Sequence, residues 1–287
     1  MRPDIIPRHS DGRIKISWVT TLAFFVFHVG AVAALFHFSW KALFWTAITY
    51  WISVGWGIGL GYHRLHTHRS YKAPKWLDYL FAVCGTMTLE GGPIFWVATH
   101  RVHHQLSDKV GDPHSPHDGA WWAHILWMVL GDPKHDDTQL LSKYAPDMCR
   151  DKFYVWLSKY HWLPLTIFGV LVGYFAGYEM LLWTVFLRVT LGLHATWMVN
   201  SASHIWGSKR FATRDDSRNN WFVALITMGE GWHNNHHAHP ASARHGLAWY
   251  EFDPTWLQIR FLEMIGLVQN VRVAKINTAL EPEAKAA

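Results

Sequence analysis

The sequence predicts an all-α integral membrane protein: four transmembrane helices in two hairpins, with a helical cap on one side carrying a histidine-rich metal site. Three observations carry that expectation. Half of the 287 residues are apolar and only 16% are charged, a balance that argues against one or two soluble domains. Long uncharged runs come in two pairs, at 16–62 and 163–199. The 21 histidines are several times the usual complement, and the clustered ones lie just outside those runs.

Taken in order, residues 1–15 form a basic, cytoplasmic N-terminal segment with Arg2, Arg8, Arg13 and Lys15. The run at 16–38 contains no Asp, Glu, Lys or Arg. It is too long for the core of a signal peptide and has no small-residue cleavage site leading into a soluble domain. It therefore reads as the first span, since about 20 apolar residues cross the hydrocarbon core. A short turn around Lys41 leads to a second span at 42–62. With the basic N-terminus in the cytoplasm, the chain returns to that side at His63.

No segment between 63 and 162 reads cleanly as a span. The stretch 76–97 is apolar but broken by Asp78, Gly85, Glu90, Gly91, Gly92 and Pro93, which suits a helix lying along the interface. Gly111-Asp112-Pro113 reads as a turn, 121–127 as an aromatic interfacial helix, and 131–152 as a soluble connection. The second hairpin spans 163–178 and 180–199, with Glu179 at its turn. Arg188 lies inside it, and a charge at that depth is expected to face a structural protein partner. An amphipathic stretch follows at 249–268, and 269–287 is a C-terminal tail. The spans and both cap segments, 63–162 and 200–268, form one domain over 16–268.

The net charge of +5 fits an anionic membrane surface or an acidic partner. It is not arranged as a basic stripe with a nucleic-acid motif. Cys84 and Cys149 are too few for a disulfide framework or a cysteine zinc site, and read as inert core thiols.

The histidines carry the chemistry. His100-Arg-Val-His103-His104 and His233-Asn-Asn-His236-His237 place three imidazoles each along one helical stripe, because residues three and four apart share a face. Asn200 and His204 are four apart at the end of the fourth span. His63 and His68 are five apart and diverge by roughly 140° on a regular helix, so they converge only if the helix ends between them or they serve different metals. Neutral imidazole is a good ligand for iron, zinc or copper. Nine clustered histidines exceed the coordination sphere of one metal, so two metals are implied. A nitrogen-ligated pair of metals beside a membrane points to oxygen activation, which zinc does not support. His28, His37, His161 and His194 lie in apolar runs and read as satisfied core residues. His66 and His114 lie close to the clusters without their spacing and are the least secure exclusions.

The set His63-x4-His68, His100-x2-His103-His104, Asn200-x3-His204 and His233-x2-His236-His237 resembles the membrane-bound acyl-CoA or acyl-lipid Δ9 fatty acid desaturases, such as the stearoyl-CoA desaturases. The likeness runs from about Gly61 to Trp249 and includes Gly61-Tyr-His63-Arg-Leu and Gly229-Glu-Gly-Trp-His233. It implies two iron ions held by His63, His68, His100, His103, His104, His204, His233, His236 and His237, with Asn200 holding one through a water. The implied reaction takes a saturated C16–C18 acyl chain, O2, two electrons and two protons to a cis double bond and two waters. By the same resemblance Trp96, Thr196 and the neighbouring Trp197 line a kinked acyl tunnel. Glu90 falls where animal members often carry Gln, and Trp51 and Gly55 where the family sets chain length.

An acyl hydroxylase on the same scaffold is the alternative, distinguished only by its product. A non-enzymatic membrane metal-binding protein would carry its ligands within the spans, not outside them. No cytochrome b5-like segment is visible, so electrons are expected from a separate ferredoxin or cytochrome b5-type donor. A bacterial inner membrane, with both termini and the active site cytoplasmic, is the expected location.

Overall fold

In a computed structural model of the chain, residues 15–130 and 138–275 are described. The basic segment at 1–14, with Arg2, Arg8 and Arg13, and the tail from 276 onward lie outside them. Among the described residues the regular structure is helical, and extended pairing is limited to isolated bridges such as Lys72 with Gln269.

Two long helices organise the molecule. After α1 (Trp18–Ala34), the chain turns and enters α2 at Trp40, where the Ser39 hydroxyl accepts the Ala42 N–H at 3.1 Å. α2 continues unbroken to Thr67, 28 residues, against the about 20 that span a membrane. Its final turns therefore stand inside the cap. The helix therefore ends five residues beyond the expected 62. The cap buries Tyr62, His63 and Arg64, so the polar residues at 63–67 mark a change of neighbours and not the end of the helix.

The cap begins with α3 (Lys75–Thr86) and α4 (Pro93–Leu106), broken where the sequence predicts by Gly91, Gly92 and Pro93. α3 lies so close along α2 that a Cβ on Gly57 would meet the Cys84–Gly85 backbone. The described part of 131–152 is not a plain connection. Its short helices Thr138–Tyr144 and Pro146–Cys149 bury Ala145 and Met148 in one core with Val97 and Ala98 of α4. α5 (Lys152–Lys159) follows, its first turn capped by the Asp151 carboxylate.

The second hairpin is α6 (Leu163–Ala176) and α7 (Tyr178–Ile205). Its turn is made by Gly177 at φ +88°, while the expected turn residue Glu179 sits in the first turn of α7. Like α2, α7 outruns its expected end at 199 and carries Asn200 and His204 into the cap. Arg188 is buried; its Nη1 donates to Ser53 Oγ at 2.8 Å and to the Met87 carbonyl at 3.0 Å, tying α7 to α2 and the end of α3. α8 (His233–Ala238) and α9 (Pro254–Met264) complete the cap.

Large apolar side chains face outward on α1, the start of α2 and α6. Trp18 is 70% exposed, Trp40 77% and Tyr174 81%. Such a continuous apolar exterior is unfavourable in water and natural in lipid. α2 and α7 are each long and apolar enough to cross a membrane, whereas α1 and α6 are shorter apolar helices of 17 and 14 residues.

A candidate two-metal centre

The nine clustered histidines converge, but not as three separate motifs. His63 and His68 from the end of α2, His100 and His104 from α4, and His236 from α8 form one group. His103 of α4, His204 of α7, and His233 and His237 of α8 form a second. Within each group the ligand nitrogens lie within 4.8 Å of one another. Each His-x-x-His-His motif is thus divided between two sites. On a helix, positions i and i+4 differ by about 40° while i+3 falls about 60° to the other side of i. In α4 the i, i+4 pair serves the first group and His103 crosses to the second; in α8 the pair serves the second and His236 crosses to the first.

His63 and His68 meet in the first group across the end of α2, which stops at Thr67 with His68 as its capping residue, as their convergence requires. The backbone from Trp51 to Thr67 is wound in the wider π manner, with bonds to the fifth residue back. The His68 N–H donates to the His63 carbonyl at 3.2 Å, and the Thr67 hydroxyl to the Tyr62 carbonyl at 2.7 Å. Winding of more than four residues per turn brings positions five apart towards one face.

The donor geometry suits metal ions. Nε2 atoms stand 3.0 Å apart in His63 and His236, 3.0 Å in His100 and His104, 2.9 Å in His104 and His236, and 3.1 Å in His204 and His233. With metal–nitrogen bonds of about 2.1 Å, ligands at right angles are about 3.0 Å apart, and tetrahedral ones about 3.4 Å. These edges are short enough for each group of nitrogens to share one ion. Burial, reinforced by the neighbouring imidazoles, holds His68, His100, His104, His233 and His236 well below the ordinary histidine range. They are neutral, the form that ligates.

Carboxylates grip the far side of four of these rings. His103 Nδ1 lies 3.0 Å from Asp112, His204 Nδ1 2.9 Å from Asp108, and His237 Nδ1 2.9 Å from Asp215, while His63 Nδ1 meets Glu230. Each carboxylate fixes a tautomer and turns Nε2 inward. At His103 burial lowers proton affinity, but the Asp112 charge and hydrogen bond outweigh it and leave the ring above its ordinary value. Glu230 is itself braced by the buried Arg64, whose Nη2 donates to it and to Asp253, each at 2.9 Å. Gly229 precedes it at φ +113°, and a Cβ there would strike Asp253.

Sequence reading missed these carboxylates. Asp112 had been visible only as a turn residue and Glu230 only as part of a motif; Asp108 and Asp215 have no spacing that signals them. Not all of the excluded histidines fall elsewhere: His114 groups with His103 and Asp112, and His245 with His63 and Glu230, each set with its ligand atoms within 4.8 Å of one another. His66 Nε2 turns away to Asp78 at 2.6 Å. His114 packs on His103, with ring centroids 4.4 Å apart, and its Nδ1 lies 3.9 Å from Asp112. His28, His194 and His124 form a thread with nitrogens 2.9 Å apart at both links, clamping α1 to α7.

Two narrow cavities meet beside the ligands. One is lined by Phe95, Thr99, Trp127 and Leu193, the other by Val54, Ile58, Val199 and Thr227. Trp96, His100, Thr196 and Asn200 line both. At this junction Trp96 Nε1 donates to Glu90 at 3.0 Å, Thr196 Oγ1 donates to its other oxygen at 2.9 Å, and Trp96 stacks on His100. Burial pushes the Glu90 carboxyl up to about 7 against the pull of those donors. Trp197 also lines the first cavity and packs edge-on against Phe24. Trp51 and Gly55 lie apart from both linings. Trp51 donates to Gln258 at 2.9 Å, and the space beside Gly55 is filled by Trp51 and Met228.

The profile of the family described as fatty acid desaturase matches residues 39–263. The chain is 45% identical to an sn-1 stearoyl-lipid 9-desaturase of Anabaena variabilis, over 91% of this chain and 95% of that one. It is 44% identical to an sn-2 palmitoyl-lipid 9-desaturase of Nostoc sp. (strain 36), over 90% of each. It is 40% identical to Delta-9 acyl-lipid desaturase 1 of Arabidopsis thaliana, over 90% of this chain and 84% of that one.

Proposed function

Because the chain belongs to the fatty acid desaturase family, we propose that it introduces a cis double bond, at Δ9, into saturated C16–C18 acyl chains carried on lipid. The observation that carries this reading is the junction of the two cavities at His100 and Asn200. A chain threaded through both would present its middle carbons, not an end, to the two histidine groups.

Two iron ions are the proposed cofactors, one in each group, with Asn200 assisting through a water. Bound there, they would supply the O2-dependent oxidation of an unactivated C–H bond, which no side chain performs. The protein contributes placement. Imidazoles held at Nδ1 by Asp108, Asp112, Asp215 and Glu230 keep Nε2 directed inward. Glu90, Trp96 and Thr196 form a hydrogen-bonded wall that fixes the bend of the acyl chain. Trp197 closes that wall towards α1, and the proposed role of Trp51 and Gly55 is to limit the methyl end. Overall, the saturated chain, O2, two electrons and two protons become a cis alkene and two waters.

The proposed setting is multi-pass. α1, α2, α6 and α7 are the four spans of one desaturase domain over 16–268, with the cap and both termini cytoplasmic at a bacterial inner membrane. Electrons come from a separate ferredoxin or cytochrome b5-type donor. The test is expression in cells with a defined saturated fatty acid pool, with double bonds located by mass spectrometry and His103→Ala as control. A Δ9 monoene absent from the control is expected. A hydroxylated product, or a monoene that persists in His103→Ala, would refute the reading.

A further inference from the structure

We infer that the acyl chain enters sideways from the bilayer, through a groove between α1, α6 and α7 that binds one chain of a membrane glycerolipid; this rests on the desaturase reading above. The groove encloses about 760 Å³, within the roughly 300–1,000 Å³ usual for small-molecule sites. It adjoins the interior. Phe24, Leu89, Met128 and Leu193 line both the groove and the first cavity beside the metal ligands. The route therefore runs from the groove, past these four side chains, through the first cavity to the junction at Trp96, His100, Thr196 and Asn200, and on into the second.

Its chemistry selects the occupant. None of the lining residues is Asp, Glu, Lys or Arg. Among the described residues the groove lining offers hydrocarbon contact and no cation for the phosphate charges of a soluble thioester. A glycerolipid leaves its headgroup at the membrane surface and sends only hydrocarbon inward. The groove is also graded. Thr20, His161 and Thr166 lie towards the cap, where the Ser17 N–H donates to the Val129 carbonyl at 2.9 Å and fixes the start of α1. Gly169, Gly173 and Val185 lie deeper. Val26 and Val170 on its flanks are 45% and 65% exposed, so the groove is open to lipid along its length. Leu89, which lines both the groove and the first cavity, is held at φ +59°, a left-handed conformation that a leucine rarely adopts and that turns the chain just before Glu90.

The test uses the full chain reconstituted with reduced ferredoxin in vesicles of unsaturated phosphatidylglycerol doped with distearoyl phosphatidylglycerol; a parallel arm supplies stearoyl-CoA in the water. Wild type should desaturate the vesicle lipid. The double variant Gly169→Phe, Gly173→Phe, which fills the groove, should lose most of that rate at unchanged iron content. Leu171→Phe, on the same helix but outside the groove, should not. Independently of folding in the filled variant, benzoylphenylalanine at Thr166 of an otherwise intact chain should photocapture distearoyl phosphatidylglycerol, and at Leu171 should capture far less. A filled groove with full activity, equal capture at both positions, or preferential turnover of stearoyl-CoA would overturn the route. A wild type with iron bound that desaturates neither substrate would instead overturn the desaturase reading, and the route with it.

Discussion

Replacing Glu90 by Gln isolates a single buried carboxyl and gives a pH signature. Burial raises this group from 4.5 to about 7, against the opposing hydrogen bonds from Trp96, Thr196 and Thr88. At about 1.4 kcal/mol per pH unit, that displacement corresponds to roughly 3 kcal/mol. The sign follows from proton binding. Between pH 4.5 and about 7 the folded protein keeps a proton that the unfolded chain has lost, so stability falls as pH rises through this window and levels off above it. Gln is close in shape. Its carbonyl can accept from Trp96 and its amide can donate to Thr196 Oγ1, so the wall is preserved without a titrating group. The comparison is unfolding in lipid nanodiscs at a fixed heating rate from pH 5 to 8.5, wild type against Glu90→Gln. The two should nearly coincide at pH 5 and separate progressively up to pH 8, the variant being more stable by roughly 3 kcal/mol, on the order of 10 °C in midpoint. Parallel curves across the range would refute the argument. They would mean that Glu90 is solvated, or is ionised and paired, in the folded protein.

Three further outcomes are expected. His68→Ala and His233→Ala strike different ligand groups, so each should lower bound metal from two ions per chain towards one by elemental analysis; removal of both ions by either would show the groups to be a single site. Asp215→Asn removes the carboxylate behind His237 and should weaken metal retention about 10–100-fold, or 1.4–2.7 kcal/mol, in a chelator titration, with the helical content of the chain unchanged. Trp51→Ala should lengthen the acyl chains accepted, read as the ratio of C18 to C16 monoenes, and an unaltered ratio would remove Trp51 from chain-length selection.

The sequence by itself determined the helical class, the order of the elements, the break before Pro93 and the clustering of the candidate histidine ligands, because each is written at short range. Apolar run length, Gly and Pro positions, and i, i+3, i+4 spacing act within a few turns of one helix. The membership of each metal group was settled by the tertiary structure. His236 joins His63 and His100, while His103 joins His204 and His233, because α4 and α8 face each other across the two sites with their single and paired histidines exchanged. Tertiary contacts also supplied the bracing. Asp108 and Asp215 acquire a purpose only when folding brings them against His204 and His237, 96 and 22 residues away in sequence. The ends of α2 and α7 belong with these features. Polarity at 63–67 and 200–205 argued that the chain had left its helices, yet the cap buries those residues and satisfies their side chains, so the helices continue. A local pattern records what a residue is; whether a polar side chain meets water or a partner depends on the rest of the fold.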